Sequence, residues 1–132
     1  MDLVLHKIRL AVLWLFWSST AGAMLFLMLL ETGVIDQIRG GEVEGMTIGP
    51  ELLLFLAVMC LIPLVMAFLS VTLKDKANRF ANIVMGTVIL VIDLIDLGGN
   101  LANPTAHMIL LISSKIAVSL LIIWYAYKWP KN

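Results

Sequence analysis

The stretch "VILVIDLIDLGGN", Val88 to Asn100, places Asp93 and Asp96 inside a run that is otherwise hydrocarbon. Read with the residues before it, Phe80 to Gly98 is about the length of 20 mainly apolar residues that a bilayer-crossing helix needs. Three further segments qualify on the same ground: Ile8 to Leu30, Glu51 to Leu73 and Thr105 to Lys128. The expected fold is an all-α membrane protein, a four-transmembrane-helix antiparallel bundle forming one domain over residues 1–132, with an outer loop at 31–49.

Composition agrees. Of the 132 residues, 61% are hydrophobic and only 14% charged, and the mean hydropathy is +1.02. An ordinary soluble domain carries about 25% charged residues. Nine basic and nine acidic residues cancel, so the charge balance points to no nucleic-acid partner. Cys60 is the only cysteine; it cannot build an internal disulfide or a cysteine metal site, and is expected to be a small buried apolar residue. The apolar run after Lys7 and Arg9 continues to Leu30 and ends at Glu31. That is longer than a signal-peptide core of about 7 to 15 residues and lacks a small-residue cleavage site. It is read as a retained span.

Backbone punctuation supports the boundaries. Pro50 before Glu51 suits a first helical position followed by an acid, Gly98 and Gly99 suit a helix end, and Asn103 with Pro104 reads as an N-cap and N1 pair. Lys7, Arg9, Lys74, Lys76, Arg79, Lys128 and Lys131 fall on one side of the four spans, the middle three in the second loop. The other side has Arg39 among Glu31, Asp36, Glu42 and Glu44. The positive-inside rule then predicts cytoplasmic termini, in the inner membrane of a prokaryote, and the bias argues against dual topology. Trp124, Tyr125, Tyr127 and Trp129 have the composition of an interfacial aromatic belt. The first loop, with Val34, Ile35 and Ile38 among acids and glycines, reads as a short amphipathic turn or a plain loop.

The segments "HKIRLAVLW", "ETGVID", "LIPLVMAFLS", "VTLKDKANRFANIVMG" and "LLIIWYAYKWPKN" resemble a family of small prokaryotic four-span membrane proteins of unknown function. The resemblance covers nearly the whole chain, with "ANRFANI" and "WYAYKWP" its most specific parts. It implies a compact four-helix membrane domain and brings no activity, substrate or catalytic residue. Leu25 and Lys115 stand where the family pattern leads one to expect acids, which would rearrange the polar centre.

Within span three, Asp93 and Asp96 lie about 60° apart on one helical face, which extends through Asn82, Gly86 and Asn100. Such a stripe should face the bundle interior, a partner or water, because lipid-facing carboxylates are rare. Asp96 is roughly 3 Å and Asp93 roughly 8 Å from the outer end of the span, while Lys115 lies about 15 Å down span four. Helical side chains lean toward their own N-terminus, so Lys115 leans outward toward Asp93. An Asp93 to Lys115 ion pair is the sharpest structural expectation, with serines of spans one and four (Ser18, Ser19, Ser113, Ser114, Ser119), Thr20 and His107 supplying hydrogen bonds. Asp93, Asp96 and His107 lack any metal-ligand spacing and form a weak metal signal, so no metal is expected. Small residues four apart, Ser18 with Gly22 and Ser19 with Ala23, read as close helix contacts. Gly86 belongs with them, and Pro63 should kink span two.

Two functions compete. The first is an oligomeric transporter or channel for a small solute or ion, using Asp93, Asp96, Lys115, Asn82, Asn100 and His107 as its pathway. The second is a non-transporting accessory subunit or scaffold in which the same groups fix helix packing. The partners expected are the bilayer and either copies of the chain or a larger membrane complex. No nucleophile and base pair, phosphate loop or metal-hydrolase motif is present, so no enzyme is expected. His6 and His107 should lie on opposite sides of the membrane, which excludes joint haem ligation, and no cofactor is expected.

Overall fold

In a computed structural model, described here for residues 2–130, helices α1 (Asp2–Leu29), α3 (Pro50–Thr72), α4 (Asp75–Asn100) and α5 (Ala106–Tyr127) are each long and apolar enough to cross a membrane. Between α1 and α3 stand the six-residue helix α2 (Val34–Arg39) and a hairpin of β1 (Glu42–Val43) with β2 (Met46–Thr47). The hairpin is antiparallel, pairing Glu42 with Thr47 and Val43 with Met46. Its turn residues Glu44 and Gly45 have φ of 49° and 79°. Two consecutive left-handed residues are what a two-residue turn needs to match strand twist. The outer loop is therefore more ordered than the sequence patterning implied.

Contacts between helix ends fix the topology. His6 near the start of α1 meets Tyr125 near the end of α5, Lys7 meets Asp75 at the start of α4, and Glu31, just beyond α1, meets His107 at the start of α5. Neighbouring helices are thus antiparallel. The start of α1, the end of α5 and the α3–α4 turn lie at one end, here the terminal end; the hairpin and the α4–α5 turn lie at the other, the hairpin end. Laterally, α3 packs on α1, α1 on α5 and α5 on α4, while α3 and α4 touch far less.

Several boundaries move relative to the sequence reading. α4 begins at Asp75, so Lys76 and Arg79 sit on a helix, and the expected second loop shrinks to Leu73 and Lys74. Helices continue past the hydrocarbon because intrahelical bonds satisfy the backbone in headgroups as well as in lipid. For the same reason Gly98 and Gly99 lie within α4, which ends at Asn100. Pro63 is buried, and α3 is helical from Pro50 to Thr72 around it.

The core gathers Leu10, Trp14 and Trp17 of α1, Met66 and Ala67 of α3, Ile89 of α4, and Val118 and Ile122 of α5. Gly86 sets the α4–α5 approach: a Cβ there would sit 3.0 Å from Ile123 Cγ1 and 3.2 Å from Ile122 Cγ2. Gly22, by contrast, is exposed with nothing within 4 Å of an added Cβ. The expected Ser18 and Gly22 contact is therefore not an internal one: Gly22 faces away from the bundle. Cys60 is likewise exposed on α3, not buried. In an apolar solvent the hydrophobic effect no longer sorts small and apolar residues between inside and outside.

Candidate functional site: a charged cluster within the bundle

Asp93 and Lys115 face each other across the α4–α5 contact, Lys115 Nζ lying 3.4 Å from Asp93 Oδ1. Asp93 is fully buried, and only 4% of Lys115 is exposed. Placing a charged side chain at mid-membrane costs roughly 2.5–3.5 kcal/mol on insertion scales, so each needs its partner. The second carboxylate oxygen of Asp93 accepts from Trp17 Nε1 at 2.9 Å and from Ser119 Oγ at 2.8 Å. Ser119 also has the Lys115 carbonyl within reach at 2.9 Å. A hydroxyl has one proton to donate, and the ionised carboxylate is the stronger acceptor.

Three helices thus converge on one carboxylate: α1 through Trp17, α4 through Asp93 itself, and α5 through Lys115 and Ser119. Lys115 Nζ is 4.5 Å from the Trp17 ring centroid, a cation–π distance that gains value where water is absent. It is also 3.9 Å from Asp96 Oδ2, whose side chain is 45% exposed. Asp96 lies one helical turn from the hairpin end of α4, close enough for solvation.

A second polar group occupies the terminal half of the bundle and is uncharged. Asn82 Oδ1 accepts from Trp14 Nε1 at 2.8 Å and Ser70 Oγ at 3.2 Å. Its amide donates to the carbonyl of Asn78 at 2.9 Å and to Asn78 Oδ1 at 2.7 Å. Asn78 in turn donates to the Ser70 carbonyl at 2.7 Å. Both amide protons of Asn82 and its oxygen thus find partners, Trp14 being the main donor to that oxygen because the single Ser70 proton lies nearer the Met66 carbonyl, at 2.7 Å. A buried amide satisfied in this way stabilises a fold. Between the two groups lie the apolar side chains of Ile89 and Ile122, both buried.

The structure therefore divides the residues singled out in the sequence. Asp93, Lys115 and Asp96 come together; Asn82 joins the separate amide group, one helix face away in sequence but beyond those apolar side chains. Asn100 is half-buried near the end of α4, and its Oδ1 has no hydrogen-bond partner. His107 does not reach the aspartates: its Nε2 is 3.0 Å from Glu31 Oε1, tying α5 to the end of α1. Thr20 and Ser114 bond carbonyls four residues back in their own helices, the usual fate of hydroxyls in apolar helices. Of the expected hydroxyl donors, Ser119 is the one whose side chain bonds Asp93.

Four functional side chains escaped the sequence reading: Trp14, Trp17, Ser70 and Asn78. Trp14 and Trp17 follow Leu10 at helical spacing, and all three are buried. An indole N–H in mid-span has no water to bond, so the spacing and the donor together were the signal. Asn78 lies four residues before Asn82 and extends its stripe, in a segment read as loop.

These features define the class: an integral membrane four-helix bundle organised around a buried interhelical ion pair. The chain belongs to a family of unknown function (DUF6326), whose pattern matches residues 5–132. Comparison with curated proteins and with solved structures gives no match.

Proposed function

We propose that the chain works as a non-transporting membrane module, an accessory or scaffold subunit held in one packing by its polar core. The single observation that carries this reading is the closure of the Asp93–Lys115 pair, both members enclosed and the shared carboxylate bonded from α1 and α5. A pathway needs polar groups that are free to bind and release a solute. Here Asn82 and Asp93 are each occupied by neighbouring side chains, with Ile89 and Ile122 between them. That arrangement supports packing over the oligomeric channel also considered from the sequence.

The terminal end is the cytoplasmic one in this reading, in the inner membrane of a prokaryote. Its support is the distribution of charge: Lys7, Arg9, Lys74, Lys76, Arg79 and Lys128 cluster there, against Arg39 at the hairpin end. Exposed Ile35 and Met46, on α2 and the hairpin, give a partner subunit apolar contacts outside the bilayer.

Flux assays on reconstituted vesicles test the proposal. Proton and alkali-cation flux should equal the leak of protein-free vesicles. Flux above that leak, abolished by Asp93→Asn or Lys115→Met in a folded protein, would contradict it and restore the transport reading.

A further inference from the structure

The charged cluster is not electrically balanced. Among the described residues Asp93 and Asp96 share a single lysine within 4 Å, so that, counted in their charged forms, the three groups carry one excess negative charge. Lys115 Nζ stands 3.4 Å from one acid, 3.9 Å from the other and 4.5 Å from the Trp17 ring centroid, suspended among three partners. Asp93 Oδ1, which faces it, is buried and makes no hydrogen bond at all. Asp93 Oδ2, by contrast, is fixed by two donors. One oxygen of the buried acid is held by two hydrogen-bond donors and the other only by the lysine charge.

We propose that Asp93 Oδ1 is a proton-binding site reached from the hairpin end only, with Lys115 as its gate. This goes beyond the scaffold role, because it makes the module responsive to acid on one face. Lys115 moves from Asp93 to the half-exposed carboxylate of Asp96, and a hydronium ion on that side gives its proton to the vacated Oδ1 and leaves as water. No bond other than the new O–H forms, and the cluster passes from a charge of minus one to neutral. The gain is removal of an uncompensated charge from a medium in which charge is expensive.

The surroundings give the site its direction. On the hairpin side lies Asp96, one turn from the end of α4 and 45% exposed. On the terminal side lie Ile89 and Ile122, at most 2% exposed and neither of them ionisable. Trp17 faces Asp93 from α1, Asp96 stands on the same helix and Lys115 faces it from α5. Glu31 and His107 are paired at the hairpin end, about 12 Å along α5 from Lys115. Glu51 and Cys60 of α3 are exposed and make no contact with the cluster.

Infrared difference spectroscopy on protein reconstituted in one orientation, each aqueous phase buffered separately, reads the carbonyl stretch of a protonated carboxylic acid. Acidifying the hairpin side should raise the high-frequency component of that band belonging to a buried acid, distinct from the broad band of partly exposed carboxylates such as Asp75 and Glu31, and acidifying the terminal side should not raise it. The band should vanish in Asp93→Asn, or, if that variant does not fold, move to the glutamic acid position in Asp93→Glu. Asp96→Asn removes the excess charge and the second carboxylate for Lys115, so the band should shrink or need a lower pH on the hairpin side while the bundle stays folded. A band that never appears overturns the proposal and leaves the scaffold reading intact. A band unchanged by Asp93→Asn or unmoved by Asp93→Glu, or a band of unaltered size and pH dependence in Asp96→Asn, also overturns it. Equal protonation from both sides overturns the one-sided site and the non-transporting reading together.

Discussion

The two polar groups inside this bundle solve the same problem by different chemistry. Toward the terminal end, Asn78, Asn82, Ser70 and Trp14 form a neutral chain in which donors and acceptors are matched. Toward the hairpin end, Asp93 and Lys115 balance formal charges, and Asp96 leaves that balance incomplete. A neutral network costs only its desolvated dipoles when one member is lost. A charged pair leaves an uncompensated ion in a medium that solvates it poorly. The difference teaches that the helix packing rests on both groups, whereas response to solution conditions belongs to the charged one alone.

Breaking the charged group should therefore cost most. Lys115→Met strands the Asp93 carboxylate and should destabilise the bundle by about 3–5 kcal/mol, read from SDS-induced unfolding followed by far-ultraviolet circular dichroism. Asn82→Leu removes the acceptor of Trp14 Nε1 and a partner of Asn78. Leaving such buried groups unpaired should cost about 1–3 kcal/mol in the same assay. A loss as large as that of Lys115→Met would erase the distinction between the two groups.

Apolar contacts between the groups come next. Gly86→Ala puts a methyl 3.0 Å from Ile123 Cγ1 and should cost about 1 kcal/mol, the low end of overpacking. Gly22→Ala meets nothing within 4 Å and should stay within about 0.5 kcal/mol of the parent. The smallest effect concerns the rim. Glu31→Gln weakens the partly exposed contact to His107 and should change unfolding by less than about 1 kcal/mol, without altering the infrared response of Asp93.

Much of the fold was legible because hydropathy reports directly on lipid contact, and four long apolar runs leave few alternatives. Hydropathy does not report where helices end. Lys76 and Arg79 looked like loop because they are charged, yet they lie in the first turns of α4. The Asp93 and Lys115 contact was also legible, from depth and from the lean of helical side chains, once spans three and four were taken as antiparallel neighbours. The contribution of Trp17 was not. Sequence shows which face of a helix a residue occupies, but the helix it meets depends on lateral packing, and α1 lies 76 residues away in the chain from Asp93. The Gly22 and Cys60 expectations failed for a related reason: in lipid, an apolar or small residue fits either face.

The central claim is that Asp93 and Lys115 stabilise the bundle as a pair. Its most direct test is a double-mutant cycle in lipid, with Asp93→Leu, Lys115→Met and both together, measured by unfolding free energy. The account expects each single change to be strongly destabilising and the double variant to recover most of the loss, because no uncompensated charge remains. Additive losses, with the double variant less stable than either single one, would contradict it.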